Sequence, residues 1–399
     1  MQKSILPSFF TIDFFLLCLS SFLFFSSFNM IIPELPNYLS SLGGEDYKGL
    51  IISLFTLSAG LSRPFSGKLA DKIGRIPVMI VGAVVCFVVS LLYPVLSFVG
   101  GFLLLRFVHG FSAGFTPTGT SAYVADIVPF FQRGEAMGIQ SLFGSLGMAV
   151  GPALGGWLAT FWPLNYIFYT SAAIAIFSIL ILVRLKETLE QPEQMSFSLL
   201  KLKKNEIIEK RVLIPSTILF LSVFSFGVVL TIIPDLSNHL GIENKGLFFA
   251  IFTLSSLGIR LIAGKASDRY GRVPVLRAAS IMMILAMLAI AFAENKWMLF
   301  GAGVLFGSAV GMNSPTTAAW VIDLSLDAFR GRALATMYIF LEAGIGIGAI
   351  VSGFLYANKA ENFSLVFLVS AAMAASALVF LLFIRSSNYK PLKKEEGAN

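Results

Sequence analysis

Glu342 is a carboxyl group about ten residues inside a long apolar stretch, where charge is costly and usually functional. At a rise of 1.5 Å per helical residue, its depth is about 15 Å, near the middle of a bilayer core. A carboxyl group in apolar surroundings holds its proton more tightly than one in water, so it can exchange protons near neutral pH. Glu342 is therefore the first candidate for a proton carrier. The alternative is a structural acid paired with Arg260, Arg106 or a neighbouring hydroxyl group.

Further ionisable residues accompany the apolar stretches. Arg106 lies inside one of them, where it can influence protonation or bind an anion, and His109 follows on about the same helical face. Packing is favoured over titration for this histidine. Asp13 stands where the first stretch begins, so a cap competes with proton binding there. Glu34 and Asp235 each follow a proline at the outer end of a stretch, where they could gate the outer side, bind protons or cap kinked helices.

The elements that must position these residues are membrane helices. Of 399 residues 56% are apolar and only 13% are charged, against about 25% charged in soluble domains. A helix of about 20 apolar residues crosses a bilayer, and lipid requires each backbone polar group to be satisfied internally. We therefore predict an all-α membrane protein with twelve transmembrane helices. They lie approximately at 9–38, 47–67, 76–96, 99–124, 135–160, 163–184, 212–238, 245–265, 274–293, 297–324, 332–356 and 363–385.

The chain contains an internal repeat. Residues 48–78 and 245–275 are related by an offset of 197 and share 15 identities in 31 positions. Two repeats in the same orientation predict two pseudo-symmetric six-helix bundles around an axis along the membrane normal. The predicted domains are an N-terminal bundle at 1–184, a cytoplasmic linker at 185–211, and a C-terminal bundle at 212–399 that ends in a short cytoplasmic tail.

Basic residues predict the orientation. With the N-terminus inside, 22 of the 29 Lys and Arg residues fall on the cytoplasmic side, which places both termini in the cytoplasm. The chain is thus predicted to be a multi-pass protein of a bacterial-type inner (plasma) membrane. The net charge of +7 indicates orientation rather than nucleic-acid binding, because the basic residues are scattered over short loops. Arg63 and Arg260 lie within predicted spans, where their heads can reach the cytoplasmic surface. The alternative for Arg260 is pairing with an acid such as Glu342.

Two loops resemble a family signature. The sequences "GKLADKIGR" at 67–75 and "GKASDRYGR" at 264–272 are similar to the loop between helices 2 and 3 of the major facilitator superfamily. The resemblance implies the major facilitator fold over essentially the whole chain. It also implies a cytoplasmic gate, because in the family these loops lock the halves together when the cavity faces out; simple turn formation is the alternative. The implied gate residues are Gly67, Asp71, Gly74, Arg75, Asp126, Arg133, Gly264, Asp268 and Arg272.

Two further motifs narrow the class of protein within this family. The sequence "GMAVGPALGG" at 147–156 resembles the antiporter motif of exporters in the same family, and "LLLRFVHGFSAG" at 103–114 resembles its arginine motif. The implied antiporter-motif residues are Gly147, Gly151, Pro152, Gly155 and Gly156. The chain departs from many proton-linked drug exporters because the middle of its first helix, "LSSFLFFSSFN" at 19–29, has no acid.

These observations predict a secondary transporter. The sequence has no nucleotide-binding loop of the G-x-x-x-x-G-K-[ST] type, so an ion gradient or the substrate's own gradient must drive transport. Proton-coupled efflux of a small organic molecule or drug by alternating access is favoured, with a sugar or organic-acid symporter as the alternative and sodium left open. No enzyme activity, cofactor, metal site or nucleic-acid partner is expected, a non-transporting receptor is disfavoured, and the protein is expected to act as a monomer in lipid. Polar candidates for the substrate cavity are Asn29, Thr116, Gln140, Asn313 and Thr317.

Overall fold

A computed structural model describes residues 10–128, 133–189, 191–196, 199, 201, 208–325 and 330–384. Over these residues the regular elements are helices. The first half of the described chain contains seven α-helices: α1 (Ile12–Ile31), α2 (Leu35–Ser41), α3 (Lys48–Ile73), α4 (Arg75–Leu92), α5 (Val99–Ile127), α6 (Arg133–Phe161) and α7 (Asn165–Leu182). A short 3₁₀ turn, Ile32–Glu34, joins α1 to α2, and its Pro33 supplies no backbone N–H.

The second half has one helix for each of its six predicted spans. These are α8 (Leu213–His239), α9 (Gly246–Tyr270), α10 (Arg272–Ala291), α11 (Lys296–Leu324), α12 (Arg330–Tyr356) and α13 (Phe363–Phe383). The twelve predicted stretches therefore coincide with twelve helical elements, if α1 and α2 are taken together. An all-α chain with the predicted element order is confirmed.

Length and hydropathy alone qualify fewer helices as spans. Among the described residues nine helices pass such a test, and ten if the two parts of α9, which bend by 44°, count as one span. Helix α3 is outside that count although it has 26 residues, and it carries Arg63 and several serines within its apolar part. Helix α11 is also outside it and carries the polar sequence "NSPTT" at 313–317.

Glycines terminate the helices beside both signature loops. Gly74 has φ of 120° and separates α3 from α4, while Gly271 has φ of 91° and separates α9 from α10. This region of backbone conformation is readily available only to glycine. The two loops are therefore sharp turns on one side of the molecule, which we call the loop side.

The halves meet along two pseudo-symmetric helix pairs, α3 with α12 and α6 with α9. Small residues allow this close approach. A Cβ atom built on Gly49 would lie 2.7 Å from the Ala349 carbonyl, and one on Gly353 would lie 2.7 Å from the backbone of Gly49. Backbone contact of this kind, typical of packed membrane helices, holds the halves together on the side opposite the loops.

Candidate functional site

A cavity of about 1070 Å³ lies between the two halves. Its wall extends to Lys68 and Lys72 on the loop side, and both halves contribute to it. Aromatic rings form much of the apolar lining: Phe25, Phe28, Phe55, Phe226, Phe249 and Phe252. Cavities of this size, mostly apolar with a few polar groups, are typical of small-molecule sites.

An ion pair joins the halves inside this cavity. Arg63 Nη2 on α3 donates to Glu342 Oε1 on α12 at 2.8 Å, and Glu342 is only 8% exposed. The Arg63 guanidinium also lies over the Tyr338 ring, 4.5 Å from its centre. Glu342 is 12 residues from the start of α12 and 14 from its end, in the middle of the helix. Its partner is neither Arg260 nor Arg106, and Arg63 extends into the cavity rather than to the surface.

Arg260 occupies the equivalent place in the second half and meets a different residue. Its Nη1 lies 3.4 Å from Ser145 Oγ, while its Nε is buried without a hydrogen-bond partner among the described residues. Both residues line the cavity.

Arg106 is held inside the first half. Its Nε donates to the Ile51 carbonyl at 2.9 Å, its Nη1 to the Tyr93 hydroxyl at 3.3 Å, and its guanidinium lies over the Phe55 ring. His109 is fully buried beside it, with Nδ1 3.2 Å from the same tyrosine hydroxyl. Arg106 reaches the cavity wall, whereas His109 is a packed histidine, the interpretation favoured from the sequence.

The side opposite the loops is closed by two buried ion pairs that cross between the halves. Lys48 Nζ on α3 donates to Asp235 Oδ2 on α8 at 2.7 Å, and Lys245 Nζ, which precedes α9, donates to Glu34 Oε2 at 2.6 Å. Asn238 also donates to Asn37 across the same seam at 3.0 Å. We call this side the lysine side.

Sequence reasoning singled out the two acids but not the lysines. The available signal was the repeat itself, because Lys48 and Lys245 begin the two aligned segments and each acid follows a proline in the equivalent helix.

Comparison with known proteins identifies the family. The sequence profile of the Major Facilitator Superfamily matches residues 17–216 and again 215–399. The chain belongs to this superfamily. Among its relatives is the multidrug resistance protein MdtG of Escherichia fergusonii, 26% identical over 380 residues that cover 91% of each chain. MdtG of Serratia proteamaculans is 28% identical over 385 residues, covering 92% of each.

Solved structures of the superfamily share the fold. A D-xylose–proton symporter superposes with a TM-score of 0.79 at 16% identity, covering 95% of this chain and 99% of that one. The human organic anion transporter MFSD10 superposes with a TM-score of 0.71 at 19% identity, covering 92% and 98%. At these identities the likeness shows the major facilitator fold, and the chain is a multi-pass transporter of that fold.

The signature loops of the superfamily form the same contacts in both halves. Arg75 Nε donates to Asp126 at 3.0 Å and its Nη1 lies 3.2 Å from Asp71. Equivalent bonds join Arg272 to Asp323 at 2.9 Å and to Asp268 at 2.5 Å. Each cluster stays within its own half.

Three further predicted gate residues are Gly67, Gly264 and Arg133. Gly67 lines the cavity rim, and Gly264 has open space around it. The side chain of Arg133 lies outside the described part of the structure. A residue not singled out from the sequence, Glu187, accepts hydrogen bonds from the backbone N–H groups of Arg75 and Ile76, capping α4.

The antiporter-motif residues make backbone contact with neighbouring helices. A Cβ atom on Gly147, Gly151 or Gly155 would overlap backbone atoms of α1, and one on Gly156 would overlap Asn244 of the other half. Pro152 lines the cavity.

Two of the five polar cavity candidates reach the cavity, Asn29 and Asn313. Thr116 and Thr317 are buried elsewhere and donate to the Met79 carbonyl and to Asn313 Oδ1. Gln140 donates to Ser21 Oγ and is absent from the cavity wall. Asp13 lies in the first turn of α1, away from the cavity, where Thr11 caps the helix.

Proposed function

We propose that this chain is a proton-coupled exporter of small organic molecules that works by alternating access. The observation that carries the proposal is the Arg63–Glu342 ion pair, in which a carboxylate from the middle of α12 joins the two halves at the cavity wall. The multidrug resistance names of the relatives and the glycine–proline motif of α6 support export over import.

The arrangement corresponds to one state of the transport cycle. With the orientation predicted from the basic residues, the loop side is cytoplasmic and the lysine side is external. The two lysine–carboxylate pairs close the external side, while the cavity wall reaches Lys68 and Lys72. This is an inward-facing transporter, in which a molecule from the cytoplasm has access to the cavity.

Glu342 gives protons a way to act on that cycle. The 2.8 Å contact with Arg63 is the geometry of an ion pair, and the carboxylate that such a pair requires is the form left after proton release to the cytoplasm. Protonation from outside would remove the charge that attracts Arg63, so it would weaken one link between α3 and α12. The protein would then favour different arrangements of its halves with and without the proton, which is what coupling requires.

The test is a flux measurement in proteoliposomes that contain a pH-sensitive dye, start at equal pH on both sides, and have potassium and valinomycin to prevent a membrane potential. Candidate drugs, sugars and organic acids are added outside. Antiport drives protons out as the compound enters, so the internal pH rises; symport lowers it. We expect a rise that is abolished by Glu342→Gln and kept by Glu294→Gln, an exposed control.

Three outcomes would contradict parts of the proposal. A fall in internal pH would identify the symport alternative. A rise that is equal in wild type and Glu342→Gln would assign Glu342 a structural role and direct attention to Glu34 and Asp235. Transport that needs sodium and moves no protons would replace the proton as the coupled ion.

A further inference from the structure

The repeat symmetry of the cavity is broken at one position. At the offset of 197 residues, Arg63 corresponds to Arg260 and Glu342 corresponds to Ser145. Both pairs are in contact in the structure, so the two halves have the same geometry there. The first pair is a salt bridge of 2.8 Å, and the second is an arginine against a serine hydroxyl at 3.4 Å. One half thus lacks the carboxylate that its own repeat predicts.

Unsatisfied polar atoms surround the place of the missing carboxylate. Within the described part of the chain, Arg260 Nε and Ser256 Oγ are buried and have no hydrogen-bond partner; Arg63 Nε is likewise unpaired in the other half, although its Nη2 donates to Glu342. Arg260 and Ser256 are four apart on α9, so they share a helical face, and both line the cavity. The hydroxyl is specific to this half, because Ala59 is the equivalent residue in the other. Buried donors without acceptors are costly, which favours a ligand that supplies acceptors.

The electrostatics of the deep cavity favour an anion. Among the described residues its wall has three arginines, Arg63, Arg106 and Arg260, and one carboxylate, Glu342, which is already paired. The charged residues nearer the loop side have partners of their own: Lys68 with the Lys201 carbonyl, Asp71 with Arg75, Lys72 with Glu193, and Arg332 with Glu209. The net charge of these deep cavity residues is therefore positive.

We propose that Arg260 and Ser256, with Ser145 opposite, bind the carboxylate or similar anionic group of the transported molecule. The substrate class is then an organic anion with an apolar body, which packs against Phe249, Phe252 and the other cavity rings. A planar guanidinium suits a carboxylate because two of its N–H groups can donate in parallel. This inference rests on the proposed transport function and specifies its substrate.

Binding of two matched probes tests the inference. Radiolabelled 2-naphthoate and its neutral analogue 2-naphthamide are equilibrated by dialysis with the protein in phosphatidylcholine nanodiscs, and binding to empty nanodiscs is subtracted. We expect wild type to bind naphthoate about tenfold more tightly, as for a hydrogen bond to a charged group. Arg260→Met should remove that preference and leave naphthamide binding unchanged.

Ser145→Glu is the second variant, because it supplies the carboxylate that the repeat lacks. We expect an internal pair like that of Arg63 and Glu342, and about a tenfold loss of naphthoate binding for the same physical reason. Naphthamide binding serves as the folding control for both variants. If wild type shows no preference for naphthoate, or if both probes lose affinity alike in the variants, the anion site is overturned.

A lipid phosphate offers the same chemistry as a substrate carboxylate. Nanodiscs with added phosphatidylglycerol separate the two sources. Unchanged naphthoate binding supports the substrate, whereas a loss seen in wild type assigns Arg260 to a lipid headgroup and overturns the substrate class. Failure here is distinct from failure of the transport proposal. If the internal pH rises in the flux measurement but the protein does not prefer naphthoate, only the anion site is contradicted. If the protein prefers naphthoate but no protons move, only proton-coupled export is contradicted.

Discussion

The three arginines within the membrane region have three different kinds of partner. Arg63 has a carboxylate, Arg106 has a carbonyl, a hydroxyl and a ring face, and Arg260 has one serine hydroxyl. A buried cation needs compensation, and a guanidinium can obtain it without a counter-charge by using its fixed fork of donors. We infer that Arg106 is a structural cation, and we propose that Arg63 and Arg260 respond to protons and ligands.

The role of Arg106 predicts that a lysine cannot replace it. Arg106→Lys keeps the charge but cannot reach the Ile51 carbonyl and the Tyr93 hydroxyl together, and it loses stacking on Phe55. We expect a loss of about 1–3 kcal/mol for the hydrogen bonds of a charged group, seen as a lower melting temperature of the purified protein. Arg184→Lys, at an exposed arginine, is the control. Equal melting temperatures for the two variants would contradict a structural role for Arg106.

Helix packing explains which parts of the site the sequence could predict. The repeat, the glycine spacing of α6 and the position of Glu342 within its helix can be predicted, because they depend only on the order of residues along the chain. The partner of Glu342 depends on how two helices from different halves are rotated about their axes. Arg260 and Arg63 are equivalent by sequence, and only the contact of α3 with α12 selects Arg63. Helix rotation also decides which polar residues face the cavity, and Thr116, Gln140 and Thr317 do not line it.

The α1–α6 contact predicts a large difference between two glycines of one helix. A Cβ atom on Gly155 would overlap the Met30 carbonyl of α1, whereas one on Gly138 has nothing within 4 Å. Gly155→Ala must push two backbones apart, so we expect destabilisation of about 1–3 kcal/mol or more. Gly138→Ala should be neutral or stabilising, because alanine is the better helix former. Size-exclusion profiles after heating measure both. Similar profiles would show that α6 can move away from α1 without cost.

At the scale of the whole molecule, the two lysine–carboxylate pairs form a reciprocal closure. The acid belongs to the first span of one half and the lysine to the second span of the other, and the repeat symmetry exchanges the two pairs. All four residues are buried, so removing only one charge from a pair leaves its partner in an apolar seam. The penalty of an unpaired buried charge is typically several kcal/mol. Water entering the seam relieves it, which favours a state open on the lysine side.

The closure is tested by accessibility of a single cysteine on the cavity wall. Cys18 and Cys86 are first replaced by serine, and a single cysteine is introduced by Leu230→Cys at a cavity-lining position of α8. The rate at which a membrane-impermeant maleimide added on the lysine side labels this cysteine measures how open the seam is. We expect Lys48→Gln with Lys245→Gln to accelerate labelling, because both acids then lose their counter-charges. Lys296→Gln, at an exposed lysine, should leave the rate unchanged. The exchange Lys48→Asp with Asp235→Lys reverses one pair and leaves the Lys245–Glu34 pair intact, so its labelling rate should stay close to that of the wild type. If the double glutamine variant labels at the wild-type rate, the backbone contacts of α3 with α12 and α6 with α9 close this side without the ion pairs.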